Sequence, residues 1–252
     1  QVELGIERLL AMQRYNGSFA MWSAEGSEEY WATVYVTDFL LRAREQGFAV
    51  PPAALKSAQE RLLRYLQEGY LIDSDYSQAP DATRFAVQAY AGFVLARDKR
   101  APLGALRSLF ERRQHARSGL PLVHLSLALQ WMGDAPKAEQ ALHAGLNVQR
   151  SDELYMADYG SELRDQAQIL ALLQAYNLAV AEQAERIFAL ADNLNMRNGL
   201  STQERNALFM AARGQLMNDD STWQAQVQGL EQNIALSRQN SQLLLDAAQL
   251  RT

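Results

Sequence analysis

Helix-length apolar segments of two kinds alternate along most of this chain. One kind carries a single apolar stripe, as residues 53–66 do, with charged side chains on the opposite side. The other kind is apolar around most of its circumference, as residues 82–96 are. A helix with one apolar stripe lies on a surface, whereas a helix that is apolar all round must be buried. The alternation therefore predicts two concentric layers of helices.

The alternation repeats about five times, and the later pairs follow one another at a spacing of about 41 residues, which is typical of a helical-pair repeat. The apolar residues recur at the helical period over lengths that are too great for strands. The single-stripe segments are 2–13, 53–66, 103–110 and 181–191, and the segment 136–146 between them is short and mixed. The segments of the second kind are 29–46, 82–96, 120–132, 164–176 and 202–216.

Turn and cap residues divide these segments where helix ends are expected. Gly47 and Gly133 follow two of the segments as helix stops, and Pro52 occupies a first-turn position. Ser201 and Glu204 are three residues apart, which is the spacing of a capping box at the start of the last helix.

Stacked helical pairs form either an open solenoid or a closed ring. In a solenoid one layer usually keeps an exposed polar face, but the second layer of this chain has little polar surface to expose. We therefore predict an all-α fold, an α/α toroid whose inner helices pack against one another across the centre. An extended helical-repeat adaptor is the alternative architecture.

The tail of the chain has a different pattern, which divides it into a helical domain at 1–219 and a tail at 220–252. Trp223, Ala225 and Val227 alternate with glutamines, as in a half-buried strand, and residues 243–245 are a candidate second strand. We expect this short extended tail to lead into a neighbouring β domain.

Composition narrows the classes of function. The 252 residues carry a formal net charge of −5 without a basic block, which argues against nucleic-acid binding. No apolar run approaches the roughly 20 residues of a membrane span. The sequence has no cysteine, so disulfides, zinc–thiolate sites and thiol nucleophiles are excluded within it. It also lacks an initiating Met, which we interpret as a piece cut from a longer protein.

Four short motifs, in order, carry a resemblance to a known family. Residues 13–22 (QRYNGSFAMW) resemble the Q-x-x-(D/N)-G-(G/S)-F-x-x-W turn of α/α toroids, with a tight turn at Gly17 and with Phe19 and Trp22 beneath the ring. Residues 30–36 (YWATVYV) are similar to the helix opening of complement thioester domains. Residues 160–165 (GSELRD) and 200–204 (LSTQE) resemble signatures of the bacterial alpha-2-macroglobulins.

The resemblance implies a function for the whole protein. Members of this family use the toroid to hold an internal thioester between the Cys and the Gln of a C-x-E-Q motif, and they entrap a protease after it cleaves a bait region. The implied role is that of a broad-spectrum protease inhibitor of the cell envelope, without turnover and without a cofactor or metal. The implied location is the periplasm, with a lipid anchor on the inner membrane. The implied partners are target proteases, other domains of the parent chain and a peptidoglycan-synthesising penicillin-binding protein.

The missing cysteine departs from the family pattern, because this chain cannot itself form the thioester. Two explanations remain open. The reactive motif and its helices precede the chain, which five helical pairs rather than six favour, or the protein belongs to a bacterial subgroup that lacks the thioester.

Two groups of residues are candidates for the surroundings of a thioester pocket. Tyr30, Trp31 and Tyr35 form an aromatic group that could shield a thioester from water, although core packing is the simpler role. Arg164 and Asp165 begin an otherwise apolar helix and either shape the same pocket or serve the helix N-terminus through its dipole and a local ion pair.

Other polar residues are weaker candidates. His124 lies among apolar residues and is predicted to be an interior histidine with its hydrogen bonds satisfied. Asp73, Asp75 and Asp81 could form a carboxylate cluster, but they do not match the motifs of toroidal cyclases. A toroidal enzyme, such as a cyclase or a polysaccharide-active protein, would require acidic side chains converging on the ring centre.

Overall fold

The computed structural model describes residues 1–75, 77–150 and 155–217 and the backbone of two short strands after them. This part of the chain contains ten α-helices, as predicted. They are α1 (Val2–Leu10), α2 (Tyr30–Glu45), α3 (Pro52–Gln67), α4 (Pro80–Arg97), α5 (Leu103–Phe110), α6 (Gly119–Trp131), α7 (Ala135–Asn147), α8 (Glu162–Ala175), α9 (Gln183–Asn195) and α10 (Thr202–Met217).

The two predicted layers are present. The even-numbered helices form the inner layer, where each one contacts the next, and the odd-numbered helices pack outside them. In α4 and α6 nearly every side chain is buried, whereas α3 buries Leu55, Leu62 and Leu66 and exposes Lys56 and Glu60. The difference between the two kinds of apolar pattern is therefore a difference between inner and outer position.

The helix ends lie within about four residues of their predicted positions because the cap chemistry is local. Ser201 Oγ accepts the Glu204 N–H at 3.2 Å, and the Glu204 carboxylate accepts the Ser201 N–H at 2.7 Å, which confirms the capping box. Gly17 and Gly133 have φ angles of 86° and 94°, which glycine adopts without strain. The largest difference is at α9, which ends at Asn195 and not at residue 191. The helix α1 ends at Leu10, before Gln13, because Gln13 forms a β-bridge with Phe19.

The ring closes between the last inner helix and the first. Asn206 Nδ2 on α10 donates a hydrogen bond to the Tyr35 hydroxyl on α2 at 3.1 Å. A cavity of about 210 Å³ lies between α2, α4, α8 and α10. These contacts confirm the predicted α/α toroid over an open solenoid.

The centre of the ring is more polar than the sequence predicted. Asp38 is buried beside the cavity and accepts hydrogen bonds from Arg42 at 2.9 Å, Arg97 at 2.6 Å and the Tyr90 hydroxyl at 3.0 Å. Two arginines therefore neutralise this carboxylate, and it cannot act as the free acid that a toroidal enzyme would need.

Burial is uneven around the ring. One large apolar core is shared by α1 to α7 and by Leu172 of α8, while a second, small core lies between α8, α9 and α10. The prediction that α10 is buried all round is wrong, because Phe209 is 64% exposed and only one narrow face of the described part of the helix is buried. Trp22 is also 89% exposed rather than beneath the ring, although Phe19 is buried as predicted.

The tail contains the antiparallel strands β1 (Trp223–Ala225) and β2 (Ile234–Leu236), with Trp223 opposite Leu236. The first predicted strand is confirmed. The second was expected at 243–245, which lies outside the described residues. The strand β2, which pairs with β1, was not predicted. Among the described residues, no helix has both the length and the apolar character that crossing a membrane requires.

Candidate functional site

Four charged side chains form a buried ion cluster at the start of α8. Both Arg150 and Arg164 pair with Asp158, through shortest contacts of 2.6 Å and 2.8 Å. Arg150 Nη1 also lies 3.3 Å from Asp165, and Arg164 Nε lies 2.6 Å from Asp165 Oδ1 as an ion pair without hydrogen-bond geometry. Each of the four side chains is only 2% or 3% exposed. Two cations and two anions thus balance one another away from water.

The two carboxylates of the ion cluster respond differently to this environment. Burial alone would raise the pKa of Asp158, but hydrogen bonds from Arg150 and the positive charge of Arg164 outweigh burial, so its pKa is lowered. Burial raises the pKa of Asp165, and the charges of Arg164 and Arg150 offset that effect only in part. Both arginines donate hydrogen bonds to Asp158, whereas Asp165 accepts one from Arg150 and forms an ion pair with Arg164.

Local sequence explains how the cluster assembles. Ser161 caps α8 by accepting the Arg164 N–H at 3.1 Å, which places the Arg164 side chain in the first turn. Asp158 precedes the cap in a loop whose flanking residues, Ala157 and Tyr159, have φ angles of 50° and 52°. Left-handed backbone is unfavourable for residues other than glycine, and it persists where the surrounding structure enforces it. The two arginines that hold Asp158 supply that constraint.

Trp31 connects the ion cluster to the ring. The Arg164 guanidinium carbon lies 5.1 Å from the centroid of the Trp31 ring, a cation–π distance, and the Trp31 ring packs against Tyr90 with a centroid separation of 5.0 Å. The structure therefore brings together three of the five predicted pocket residues, namely Trp31, Arg164 and Asp165.

The other two predicted pocket residues have different partners. The Tyr30 ring contacts the Tyr65 ring edge to face at a centroid distance of 5.6 Å. The Tyr35 hydroxyl accepts the hydrogen bond from Asn206 that closes the ring. Among the described residues no ring contact joins Tyr30, Trp31 and Tyr35 to one another, so they do not form one aromatic cluster.

Sequence reasoning missed Arg150 and Asp158. Arg164 does pair locally, as the simpler interpretation predicted, but it is buried with Asp165 rather than placed at a surface helix end. Arg150 lies outside any helix and eight residues from Asp158, a spacing that carries no periodic signal. One indication of a charged site was present in the sequence. Charged residues are concentrated at 151–154 (SDEL) and 160–165 (GSELRD), beside an apolar helix.

An apolar groove, called the seam groove below, lies where α2 and α10 begin. It has a volume of about 470 Å³ and opens to solvent. Its lining comprises Met21, Trp31, Ala32, Tyr35, Tyr159, Ser201, Thr202 and Gln203. Trp31 therefore contributes both to the ion cluster, through its ring face, and to the seam groove.

His124 is an interior residue, but its hydrogen bonds are not all satisfied. Its ring stacks on Tyr90 with a centroid distance of 4.6 Å, and Nε2 has no partner in the part of the chain that the structure describes. Burial lowers its pKa to about 3, so the ring is neutral. Among residues 1–75, 77–150 and 155–217, no group of three potential ligands could hold a metal ion. Asp73 and Asp75 lie in a loop, as predicted, whereas Asp81 lies in the first turn of α4.

The ring of paired inner and outer helices defines an α/α-toroid domain. The chain is 48% identical over 248 residues to Alpha-2-macroglobulin of Escherichia coli (strain K12), a match that covers 97% of this chain and 15% of that protein. It is 39% identical over 226 residues to Alpha-2-macroglobulin of Xylella fastidiosa (strain Temecula1 / ATCC 700964), covering 86% of this chain and 14% of that protein. The chain belongs to the bacterial alpha-2-macroglobulin family and spans about 15% of the length of these relatives. No protein-family model matches it.

Solved structures agree with this assignment. Salmonella alpha-2-macroglobulin reacted with methylamine is similar with a TM-score of 0.86 and 47% identity, covering 93% of this chain and 15% of that one. Trypsin-activated alpha-2-macroglobulin from Escherichia coli is similar with a TM-score of 0.83 and 44% identity, covering 94% of this chain and 17% of that one.

Proposed function

We propose that this chain is the toroidal thioester-type domain of a larger bacterial alpha-2-macroglobulin-like protease inhibitor, in which it serves as a scaffold without turnover. The observation that carries the proposal is 48% identity across nearly the whole chain, combined with the same toroid in the solved relatives. Residues 1–219 form the toroid in this proposal, and residues 220–252 lead to a neighbouring β domain. A neutralised Asp38 at the ring centre further supports a scaffold over an enzyme.

The seam groove supports a specific place for the reactive segment. It presents a concave apolar surface where two inner helices begin, and a concave apolar surface is a place where another segment can pack. We propose that a further helical pair carrying the C-x-E-Q motif packs over it. Trp31 and Tyr35 would then border the thioester directly, Tyr30 would lie at its edge, and Arg164 with Asp165 would fix the Trp31 ring from behind.

The solved relatives support a proposal for the activity of the whole protein. Their structures include a form activated by trypsin and a form reacted with methylamine. We propose that the full polypeptide containing this chain is likewise cleaved by target proteases and retains them. A periplasmic location, a lipid anchor and association with a penicillin-binding protein belong to the same proposal, and fractionation of cells followed by co-purification tests them.

Protease capture by the full polypeptide is the decisive test. The polypeptide is incubated with trypsin in the presence of a fluorescent primary amine, and the products are separated by denaturing electrophoresis and by gel filtration. We expect trypsin to co-elute with the cleaved polypeptide. Covalent amine uptake would identify a thioester supplied outside this chain, whereas capture without uptake would identify the subgroup that lacks it. Free trypsin and no labelled polypeptide would contradict the proposal.

A matched pair of variants tests the role of the seam groove. Ala32→Glu places a charge in the groove, while Ala184→Glu makes the same change on the exposed surface of α9. We expect Ala32→Glu to abolish capture or amine uptake and Ala184→Glu to preserve it. Equal activity of the two variants would show that the groove does not receive the reactive segment.

A further inference from the structure

The cavity between α2, α4, α8 and α10, called the ring-centre cavity below, has a volume of about 210 Å³. It adjoins a second, more open cavity of about 310 Å³ between α8 and α10, and Ala171, Ala175 and Met210 line both. A dry cavity of about 150 Å³ is large enough to hold benzene. The ring-centre cavity therefore has room for a phenyl ring with a short side chain, and the second cavity gives such a molecule a way in.

The walls of the ring-centre cavity suit the apolar part of a ligand. The rings of Phe39, Tyr90 and Tyr176 line it, together with the aliphatic side chain of Leu172 and the thioether of Met210. Small-molecule sites are typically concave and mostly apolar, with a few polar groups that fix the orientation of the ligand. Aromatic rings pack favourably on one another and on a methionine sulfur. An aromatic ring is therefore the group that these walls accommodate best.

Arg42 supplies the polar group that would orient a ligand. Its Nε donates to Asp38 at 2.9 Å, and neither of its Nη nitrogens donates a hydrogen bond within the part of the chain that the structure describes. The side chain is 35% exposed, and neither Nη nitrogen is among the buried atoms without a partner, so both are accessible. Asp38 raises the pKa of Arg42, and Tyr90 and Tyr176 add to this effect, so the guanidinium is charged and lies near two cavity walls.

The charges around the two cavities favour an anion. Asp38 is the only carboxylate among the described residues that line them. It pairs with Arg42 and Arg97, and Arg97 also pairs with Glu45, so these four charges balance. Arg213 lines the second cavity, and it has no carboxylate partner in residues 1–75, 77–150 and 155–217. One positive charge is therefore left unbalanced here, although the whole chain carries a formal net charge of −5.

We propose that the ring-centre cavity binds a small aromatic carboxylate, such as an arylalkanoic acid. The aromatic ring packs against Phe39, Tyr176 and Met210, and the carboxylate accepts hydrogen bonds from the two Nη nitrogens of Arg42. Paired hydrogen bonds of this kind are the preferred contact between a guanidinium and a carboxylate. Arg213 attracts the anion into the second cavity. The binding uses only residues of this chain, so it is independent of a thioester and of protease capture.

Isothermal titration calorimetry with three matched compounds tests the proposal on the 252-residue chain. Phenylpropionate has the ring and the charge, phenylpropionamide keeps the shape without the charge, and propionate keeps the charge without the ring. We expect one phenylpropionate to bind per chain, and the other two compounds to bind at least about tenfold more weakly, because each lacks one of the two recognised groups. Absence of saturable phenylpropionate binding, or an equal affinity for either of the other compounds, would overturn the proposal.

Two substitutions locate the ligand. Arg42→Met keeps the apolar stem and removes the Nη donors, whereas Ala175→Phe fills the junction of the two cavities at an exposed position and leaves every charge in place. We expect each to weaken phenylpropionate binding by at least about tenfold. Circular dichroism verifies that the variants are folded, and Ala175→Phe alone decides the test if Arg42→Met does not fold. An unchanged affinity in either folded variant would overturn the proposal.

A matched pair on α10 tests the attraction of the anion. Arg213→Gln removes the unbalanced charge from the second cavity, and Arg205→Gln removes the same charge from an exposed position of the same helix outside both cavities. We expect Arg213→Gln to weaken phenylpropionate binding by about twofold, because the charge is exposed, and Arg205→Gln to leave it unchanged. A loss in Arg205→Gln as large as that in Arg42→Met would overturn the proposal, since binding would then depend on surface charge and not on the cavity.

Discussion

The two apolar cores of this toroid differ in how complete they are. The core shared by α1 to α7 buries α4 and α6 on nearly every side, so it needs no further cover. The core between α8, α9 and α10 is small, and it leaves the exposed Phe209 on a helix that belongs to the inner layer. Among the described helices only α8 contributes to both cores, and it carries the ion cluster at its start. The ring is closed, but its apolar core is complete in the sector of α1 to α7, called the self-sufficient sector, and incompletely covered in the sector of α8 to α10, called the open sector.

The largest expected effect on the free energy of unfolding comes from replacing one buried leucine by alanine in each core. Leu125 on α6 and Leu170 on α8 are both buried leucines. We expect Leu125→Ala to lower the free energy of unfolding by about 4 kcal/mol and Leu170→Ala by about 2 kcal/mol, because the small core can relax around the lost volume. Urea denaturation followed by circular dichroism measures both. Equal losses would remove the distinction between the cores.

The ion cluster that joins the two sectors is the next target. Arg164→Met retains the apolar stem but leaves two buried carboxylates with Arg150 alone. We expect a loss of about 3 kcal/mol in the free energy of unfolding, since an uncompensated buried charge is strongly destabilising. The control is Arg205→Met on the exposed side of α10, which should change it by less than about 0.5 kcal/mol. If Arg164→Met is as mild as its control, the cluster does not hold the sectors together.

A substitution at Gly160 tests the packing of the same ion cluster by steric overlap. A Cβ at this position would overlap the guanidinium of Arg164, which is buried and held by its ion pairs. We expect Gly160→Ala to cost about 2 kcal/mol of unfolding free energy, in the range for overpacking. Gly104→Ala on α5 is the counterpart, because its Cβ meets open space, and it should stabilise the helix by about 0.5 to 1 kcal/mol. Thermal melts of the two variants should therefore shift in opposite directions, and a shift in the same direction would contradict this account.

Burial of His124 in the large core should make the free energy of unfolding depend on pH. In the unfolded chain a histidine binds a proton near pH 6.5, whereas burial lowers the pKa of His124 to about 3 in the folded chain. The stability that neutral His124 contributes is complete above pH 6.5, and it falls by about 1.4 kcal/mol per pH unit as the pH drops toward 3.

His124→Phe keeps the stacked ring and removes the titrating group, so the difference between wild type and variant isolates this effect between pH 6.5 and 4.5. The opposite contribution of Asp165, whose raised pKa favours the folded state on acidification, is present in both proteins and cancels. His143→Gln, on the exposed side of α7, is the matched control and should keep the wild-type profile. Parallel profiles for wild type and His124→Phe would indicate that water reaches the large core.

The sequence predicted the self-sufficient sector well and the open sector less well, for a physical reason. In α4 and α6, apolar side chains on all sides do correspond to burial on nearly all sides. Local caps such as Ser201 with Glu204 mark helix ends regardless of tertiary contacts. In α10, a similar apolar pattern does not reveal that one face lacks a neighbour. Phe209 and Trp22 look like core residues in a sequence, but their exposure depends on which segments surround the ring.

The candidate site was predictable only in part. Trp31, Arg164 and Asp165 were identified by resemblance and do meet in space. Arg150 and Asp158 could not be found, because their pairing depends on how an irregular loop folds back on α8.

Native-state hydrogen exchange tests the contrast between the two sectors most directly. We predict that amides in α4 and α6 exchange only through global unfolding, and that amides in α9 and α10 exchange through local opening at a free energy at least about 2 kcal/mol lower. Uniform protection across all four helices would contradict the account, because it would mean that the ring is one cooperative unit without an open sector.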